Sequence, residues 1–368
     1  MPHTNQVVDF DALEAAGLAD ARNRASLIQY LDDLGFTADD MVEAERRGRL
    51  FGLAGDVLGW SGPPIYSLQS AADALNVAVE EVEQAWTMLG LCVGGRDTPA
   101  LSQADVDGLG TWFAMRAQFG EPVDGFLRVL GVTMARLAEA ESSMIRVSLP
   151  DVWLGHTQDE LATARAWRTT TELIPRIGAM IDAVHRHHLV SARTFLEGLG
   201  GGPSASMVCG VGFLDLSGFT ALTQLLTPAE LSTLLNGFSA TVSDVVHADG
   251  GRVVKFIGDA VMWVSPSAER LARAAVDLVG HPLAQETGLQ VRAGLAYGAV
   301  LAINGDYYGN AVNLAARLVA AASPGQVLSA ADVHAELPDW PVIEQEPLTL
   351  KGFDEPVTAY EVSLSTGR

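Results

Sequence analysis

Lysine is nearly absent from this chain: Lys255 and Lys351 stand against 21 arginines in 368 residues. Basic residues together number 23 and are outnumbered by 45 acidic ones, for a formal charge of -22. A protein built to grip nucleic-acid phosphates or an anionic membrane surface relies on lysine and arginine, so the charge argues against both classes. Cysteine is almost as scarce. Cys92 and Cys209 are the only two, in no CxxC or Cys/His spacing, which argues against a disulfide framework or a structural zinc and fits a reducing, cytoplasmic setting. The opening MPHTNQVVDFDALEAAG has no basic segment followed by an apolar run, and no apolar run approaches about 18 residues. Neither a signal peptide nor a membrane span is expected.

What the chain does have is core material. Hydrophobic residues make up 48% and charged residues 18%, which excludes global disorder, and the length suits two domains of about 150 to 200 residues. The segment 197–206, EGLGGGPSAS, reads as a glycine-rich linker. It separates an N-terminal domain, 1–196, from a C-terminal domain, 207–368. Residues 1–200 hold 28 acidic and 15 basic residues, no lysine and five of the seven tryptophans. The remainder holds 17 acidic and 8 basic residues and both lysines.

The first half reads as all-α. Within 67–91, Leu68, Ala71, Ala72 and Leu75 recur at helical spacing; after a break near Asn76, Val82, Ala85, Trp86 and Leu89 repeat it. Two short helices in tandem are similar to a helix-turn-helix. The second one, however, offers Glu80, Glu81 and Glu83 and no basic residue, so helical packing is the better reading than DNA binding. Longer amphipathic helices are expected over 123–147 and 158–199.

The second half alternates strands and helices, an α+β pattern with helices expected on one face of a sheet. The run 207–216 reads as a buried strand, and TPAE at 227–230 as a capping box with proline at the first helical position. A hairpin is expected from 252–256 and 260–264, a helix over 267–279, a strand pair over 289–303, and a helix over 310–322. A last strand covers 357–362.

Two carboxylates stand out. Asp215 ends the first strand and Asp259 sits in the hairpin turn, each beside glycine, where side chains emerge from a sheet into a cleft. Such a pair on adjacent strands suits a pair of Mg²⁺ ions; aspartate beside glycine is also ordinary turn chemistry. On the 310–322 helix, Ala315 and Leu318 fall within about 40° of Ala311 and form a core stripe with it. Asn313 and Arg317 lie together on the opposite side. An asparagine and an arginine spaced i, i+4 suit a site that holds a ribose and stabilises charge growing on a phosphate, or else form a solvent-facing pair.

The motifs FLDLSGFT, VVKFIGDAVMW and GDYYGNAVNLAARL, in that order and spacing, resemble the catalytic domain of class III nucleotidyl cyclases over residues 207–363. The resemblance implies a ferredoxin-like fold working as a head-to-tail homodimer with sites at its interface. It implies that Asp215 and Asp259 bind metal (Mg²⁺ or Mn²⁺, two per site) and that Asn313 and Arg317 position the ribose and stabilise the transition state. Lys255 would read the purine ring and Asp306 accept from the adenine amino group. Arg292, and Lys351 in LKGFDEP, fall where members of the family contact the triphosphate. Guanine presents a carbonyl and an N–H to that pair, like against like, so ATP is the expected substrate and cyclic AMP the product.

The N-terminal half resembles, by architecture, the helical domains of some actinobacterial cyclases, which implies regulation by pH or by a small-molecule or lipid effector. His185, His187 and His188 lie on the helix leading to the linker. Histidines titrate near neutrality, so the cluster is either a charge switch or a solvated helix end. Two other readings are a guanylate cyclase and a DNA-binding regulator that uses a cyclase-like domain to sense nucleotide.

Overall fold

The computed structural model describes residues 8–92, 94–199, 205–282 and 290–363. The chain divides into two compact units, Met1–Arg186 and His187–Arg368.

The first unit is helical among its described residues. Helices α1 (Phe10–Ala15), α2 (Ala25–Asp33), α3 (Ala38–Arg46) and α4 (Leu53–Asp56) are followed by α5 (Leu68–Leu75) and α6 (Val79–Met88). Then come α7 (Gln103–Phe119), α8 (Pro122–Ser148), α9 (Leu154–Thr157) and α10 (Glu160–Thr171). Two apolar cores organise them. One gathers Leu27, Ile28, Leu31 and Leu53 with Ala164 of α10, the other Leu68, Val82, Trp112 and Leu127. Arg24 ties the first core together by bridging Glu45 and Glu160. The tandem helices expected in 67–91 form as α5 and α6, separated at a left-handed Asn76.

The single helix expected over 158–199 is broken. It forms α10 and then α11 (Ile174–Gly198), with the interruption at Glu172 and Leu173. Pro175 accounts for this: it has no N–H to give the preceding turn, and its ring crowds the carbonyl four residues back. The unit boundary lies inside α11, upstream of the glycine-rich segment. Of the expected linker, Glu197 and Gly198 are still helix, Ser206 already begins a strand, and 200–204 lie outside the described residues.

The second unit is built on β1 (Ser206–Ser217), α12 (Phe219–Thr223), α13 (Pro228–Ala248), β2 (Arg252–Ile257), β3 (Ala260–Ser265), α14 (Ala268–Val279) and β4 (Gln290–Ile303). The first four strands run in the order β2-β3-β1-β4, all antiparallel. With α13 and α14 this is the βαββαβ pattern of a ferredoxin-like fold. The expected capping box forms: the Thr227 N–H donates to Glu230 Oε2 at 2.8 Å, and the Glu230 N–H donates to Thr227 Oγ1 at 3.3 Å.

Beyond this core come β5 (Asp306–Tyr308), α15 (Asn310–Ala321), β6 (Val327–Ala330), α16 (Ala331–Glu336), β7 (Val342–Glu344) and β8 (Ala359–Val362). β6 joins β4 in parallel, and β8 and β7 extend the sheet.

Helices cover both faces, not one. Phe238 and Val242 of α13 pack with Leu271 and Ala275 of α14 against Leu214, Leu216 and Trp263. Ala311, Ala315 and Leu318 of α15 pack on the other face against Cys209, Val211, Phe213 and Met262. The alternation along β1 is what sorts its side chains between these cores. The strand pair expected over 289–303 is instead one strand, β4, which pairs with β1 from Gln290 to Leu301. Its glycines are not turn signals. A Cβ on Gly294 would lie 2.2 Å from the backbone nitrogen of Val319, so the glycine is there to let α15 approach the strand.

Candidate active site

On the face of β1 covered by α15, the apolar row Cys209, Val211, Phe213 ends and Asp215 continues it. Asp215 is therefore placed by strand alternation at the point where the core gives way to an open cavity. The cavity has a volume of about 440 Å³, and Asp215, Ser217, Phe219, Asp259 and Arg292 are among the residues lining it.

Asp259 reaches the same cavity from the β2–β3 hairpin. Ile257 pairs with Ala260, leaving Gly258 and Asp259 as a two-residue turn, and Gly258 has φ +65. A turn with positive φ at its first central position suits the twist of a hairpin and favours glycine there. Across the sheet, Asp215 pairs with Ala260 on β3 and with Arg292 on β4. The adjacency of the two carboxylates thus follows from register. Burial raises the Asp259 carboxyl above its ordinary range, its own backbone N–H opposes this, the negative charge of Asp215 raises it further, and Arg292 pulls it back.

Lys255 owes its placement to an irregularity. Val253 pairs with Trp263, on the α13/α14 side, yet Lys255 pairs with Met262, which belongs to the α15 side. A shift in register between them swings the lysine onto the same face as Asp215, as β-bulges commonly do near functional sites. There the Lys255 ammonium donates to Oδ2 of Asp306, while Oδ1 of Asp306 accepts the Tyr307 N–H at 2.8 Å.

Asn313 and Arg317 occupy the exposed side of α15, opposite the buried Ala311, Ala315 and Leu318. Arg317 Nε donates to the Lys351 carbonyl at 3.0 Å, and the neighbouring Leu350 and Phe353 anchor that loop in the core under α15. Among the described residues, hydrogen bonds thus join the candidate residues as Asp215 with Arg292, Lys255 with Asp306, and Arg317 with Lys351. His185, His187 and His188 are exposed on α11, which buries none of its residues, and Asp182 and Arg186 pair beside them.

Ser217 went unnoticed in the sequence. Its Oγ is shielded from solvent and makes no hydrogen bond among the described residues. The signal was there, since strand alternation puts it two residues beyond Asp215 on the same face.

The donor set fits a hard divalent cation. Two mutually repelling carboxylates line one cavity, and no cluster of three or more His, Cys, Asp or Glu occurs among the described residues. A site with two protein carboxylates that leaves other positions to water and substrate phosphate is what Mg²⁺ or Mn²⁺ prefers.

Residues 204–363 match the family of adenylate and guanylate cyclase catalytic domains. An adenylate cyclase of Streptomyces coelicolor is 32% identical over 277 residues, which cover 72% of this chain and 69% of that one. The chain belongs to the class III nucleotidyl cyclase family. An uncharacterized protein of Mycobacterium tuberculosis is 67% identical over 356 residues, 96% of this chain and 94% of that one. A second protein of that organism, named as a pH-sensitive adenylate cyclase, is 27% identical over 340 residues, 90% of this chain and 84% of that one. Both of these similarities extend through the helical unit of this cyclase as well as its sheet. No helix among the described residues is long and apolar enough to cross a membrane.

Proposed function

We propose that this cyclase is an adenylate cyclase, converting ATP to 3′,5′-cyclic AMP and pyrophosphate. The observation that carries the substrate choice is the Lys255–Asp306 pair: one donor and one acceptor, already bonded to each other on the sheet face that bears Asp215. Adenine offers a ring nitrogen and an amino group, the complements of that pair. Guanine would leave both mispaired, at a cost of several kcal/mol by the usual reckoning.

Asp215 and Asp259 would hold the metal, which supplies a lowered pKa for the ribose 3′-hydroxyl and positive charge for the phosphates. The protein's own share is positioning and charge. Asn313 fixes the ribose, Arg317 meets the charge that grows on the α-phosphate as pyrophosphate departs, and Lys351 faces the triphosphate. A complete site is assembled in a symmetric homodimer, each chain lending part of its set to the other. The separation of the candidate residues into three bonded groups within one chain supports that arrangement.

The helical unit regulates the catalytic one in a cytoplasmic enzyme, through the histidines of α11 or through a small-molecule or lipid effector. The relative named as pH-sensitive favours the first. DNA binding by α5 and α6 is disfavoured, because the arginine beside α6, Arg96, is spent on Glu80 and Glu83. Incubation of the purified chain with ATP or GTP and Mg²⁺ or Mn²⁺ tests the proposal. Cyclic AMP from ATP is the expected product; cyclic GMP as the main product, or no cyclic nucleotide at all, overturns it.

A further inference from the structure

Both residues assigned to the base stand at edges of the sheet. Lys255 is on β2, the outermost strand beyond β3, and Asp306 opens β5, which is three residues long and pairs with β4 alone. The shift in register that turns Lys255 toward the site leaves Val254 without a partner on β3. Val254 packs instead against the core that α15 covers, and so does Tyr307, the neighbour of Asp306. Phe195, in the last turn of α11, and Leu199, just after it, pack against that same core. Arg252 connects these pieces. Its guanidinium lies 5.4 Å from the centre of the Phe195 ring and forms no ion pair or hydrogen bond among the described residues. Its charge also reaches the Tyr307 hydroxyl, which burial raises and Arg252 lowers.

We infer that Phe195 and Arg252 are positioning residues for base recognition: the end of α11 backs the bulge at Val254 and the short strand at Tyr307, and so fixes the directions of Lys255 and Asp306. The inference rests on the reading of Lys255 and Asp306 as the pair that meets adenine. Selectivity by one donor and one acceptor requires both to be held in place by their surroundings. An edge strand has a ladder on one side only, and a bulge interrupts even that one. Packing against a neighbouring element then decides how firmly the pair is held, and the end of α11 supplies it beside both strands. The rest of the candidate site is anchored otherwise. Asp215 lies on β1, between β3 and β4, and Asn313 and Arg317 lie on α15. The Phe256–Val261 and Ile257–Ala260 pairs separate the Asp259 turn from the bulge. Loss of the contact therefore falls on base affinity and selectivity more than on the rate of the bound complex.

The full chain is assayed with ATP and with GTP in the presence of Mn²⁺, at a temperature well below the melting point of each variant. Arg252→Ala is expected to lower the ratio of kcat/KM for ATP to that for GTP about three- to fivefold, the size of one cation–π contact. The change should come through a higher KM for ATP, with kcat within about twofold of wild type. Arg252→Lys keeps a cation over the ring and is expected to return the ratio toward the wild-type value. A lysine variant as poor as the alanine one overturns the ring contact as the cause. A wild-type ratio in Arg252→Ala overturns the inference, whether activity survives or falls equally for both nucleotides, since the residue is then merely structural. If Arg252→Ala fails to fold, Phe195→Leu, which keeps apolar volume but loses the ring, carries the same expectation. Asp306→Asn, assayed alongside, separates the two readings. A wild-type ratio in Asp306→Asn sinks the reading of the pair itself. A lowered ratio there, beside a wild-type ratio in Arg252→Ala, sinks only the inference.

Discussion

Lys255 and Asp306 lie 51 residues apart in sequence, on β2 and at the start of β5, and the ammonium of one donates to the carboxylate of the other. Both side chains are part-buried, at 37% and 25% relative exposure, so the pair is open enough to meet a ligand yet constrained in orientation. The Tyr307 N–H holds the second oxygen of Asp306 and fixes the carboxylate further. An incoming base would exchange this internal partner for its own donor and acceptor.

Asp306→Asn tests the exchange. The amide keeps the size of the carboxylate but presents a donor as well as an acceptor, and so can meet a guanine carbonyl. The ratio of kcat/KM for ATP to that for GTP is expected to fall at least about tenfold. A preserved ratio would remove Asp306 from base recognition.

Asp259→Asn separates function from stability. Burial and the neighbouring Asp215 both raise this carboxyl, so its ionised form is disfavoured in the folded chain. Stability tied to such a group is present at low pH and is lost as pH rises through the raised value. The amide carries no charge. In metal-free buffer near neutrality the variant is expected to melt higher than wild type, while cyclase activity falls by about a hundredfold or more. A lower melting temperature, or retained activity, would contradict the assignment.

Most of the catalytic unit was legible in the sequence because its elements are strongly patterned. The capping box at Thr227, the hairpin around Gly258 and the core stripe of α15 each follow from local residue choice. Among the features that were not legible, three have a clear non-local cause. The bulge before Lys255 depends on which β3 residue each β2 residue faces. The continuity of β4 through Gly294 depends on the approach of a helix placed later in the chain. The engagement of Arg292 depends on cross-strand register and on where α15 ends. In the helical unit, amphipathic spacing ran through Pro175 and concealed the break that proline imposes.

The two cysteines should differ sharply in reactivity. Cys209 is buried under α15 and burial pushes its thiol up to about 12, whereas Cys92 is exposed. Thiolate is the reactive form, so at about pH 8 an alkylating reagent should add once per folded chain, at Cys92, and twice after denaturation. Peptide mass spectrometry reads the outcome. Alkylation of Cys209 in the folded protein would show that the face beneath α15 opens.

The histidines of α11 make a separable prediction. His185, His187 and His188 are exposed, beside the Asp182–Arg186 pair. If they carry a pH response, the triple alanine variant should lose whatever change in activity the wild type shows between about pH 6 and 7.5. An unchanged profile would leave them as a solvated stretch of helix.

The C-terminal end of α11 is anchored where its middle is not. Phe195 and Leu199 pack against the core that α15 covers, and the Arg252 guanidinium lies 5.4 Å from the centre of the Phe195 ring. Arg252 begins β2, the strand that carries Lys255 and leads into the Asp259 turn. Phe195→Ala removes a half-buried ring, so it is expected to cost the catalytic unit ~1–2 kcal/mol, below the range for a fully buried phenylalanine. Arg252→Ala should cost less, and the two should not add. A double-mutant cycle read by denaturant unfolding is expected to return a coupling of about 0.5–1 kcal/mol. Strict additivity would mean that the arginine and the ring are neighbours without interaction, and that α11 holds to the sheet through apolar packing alone.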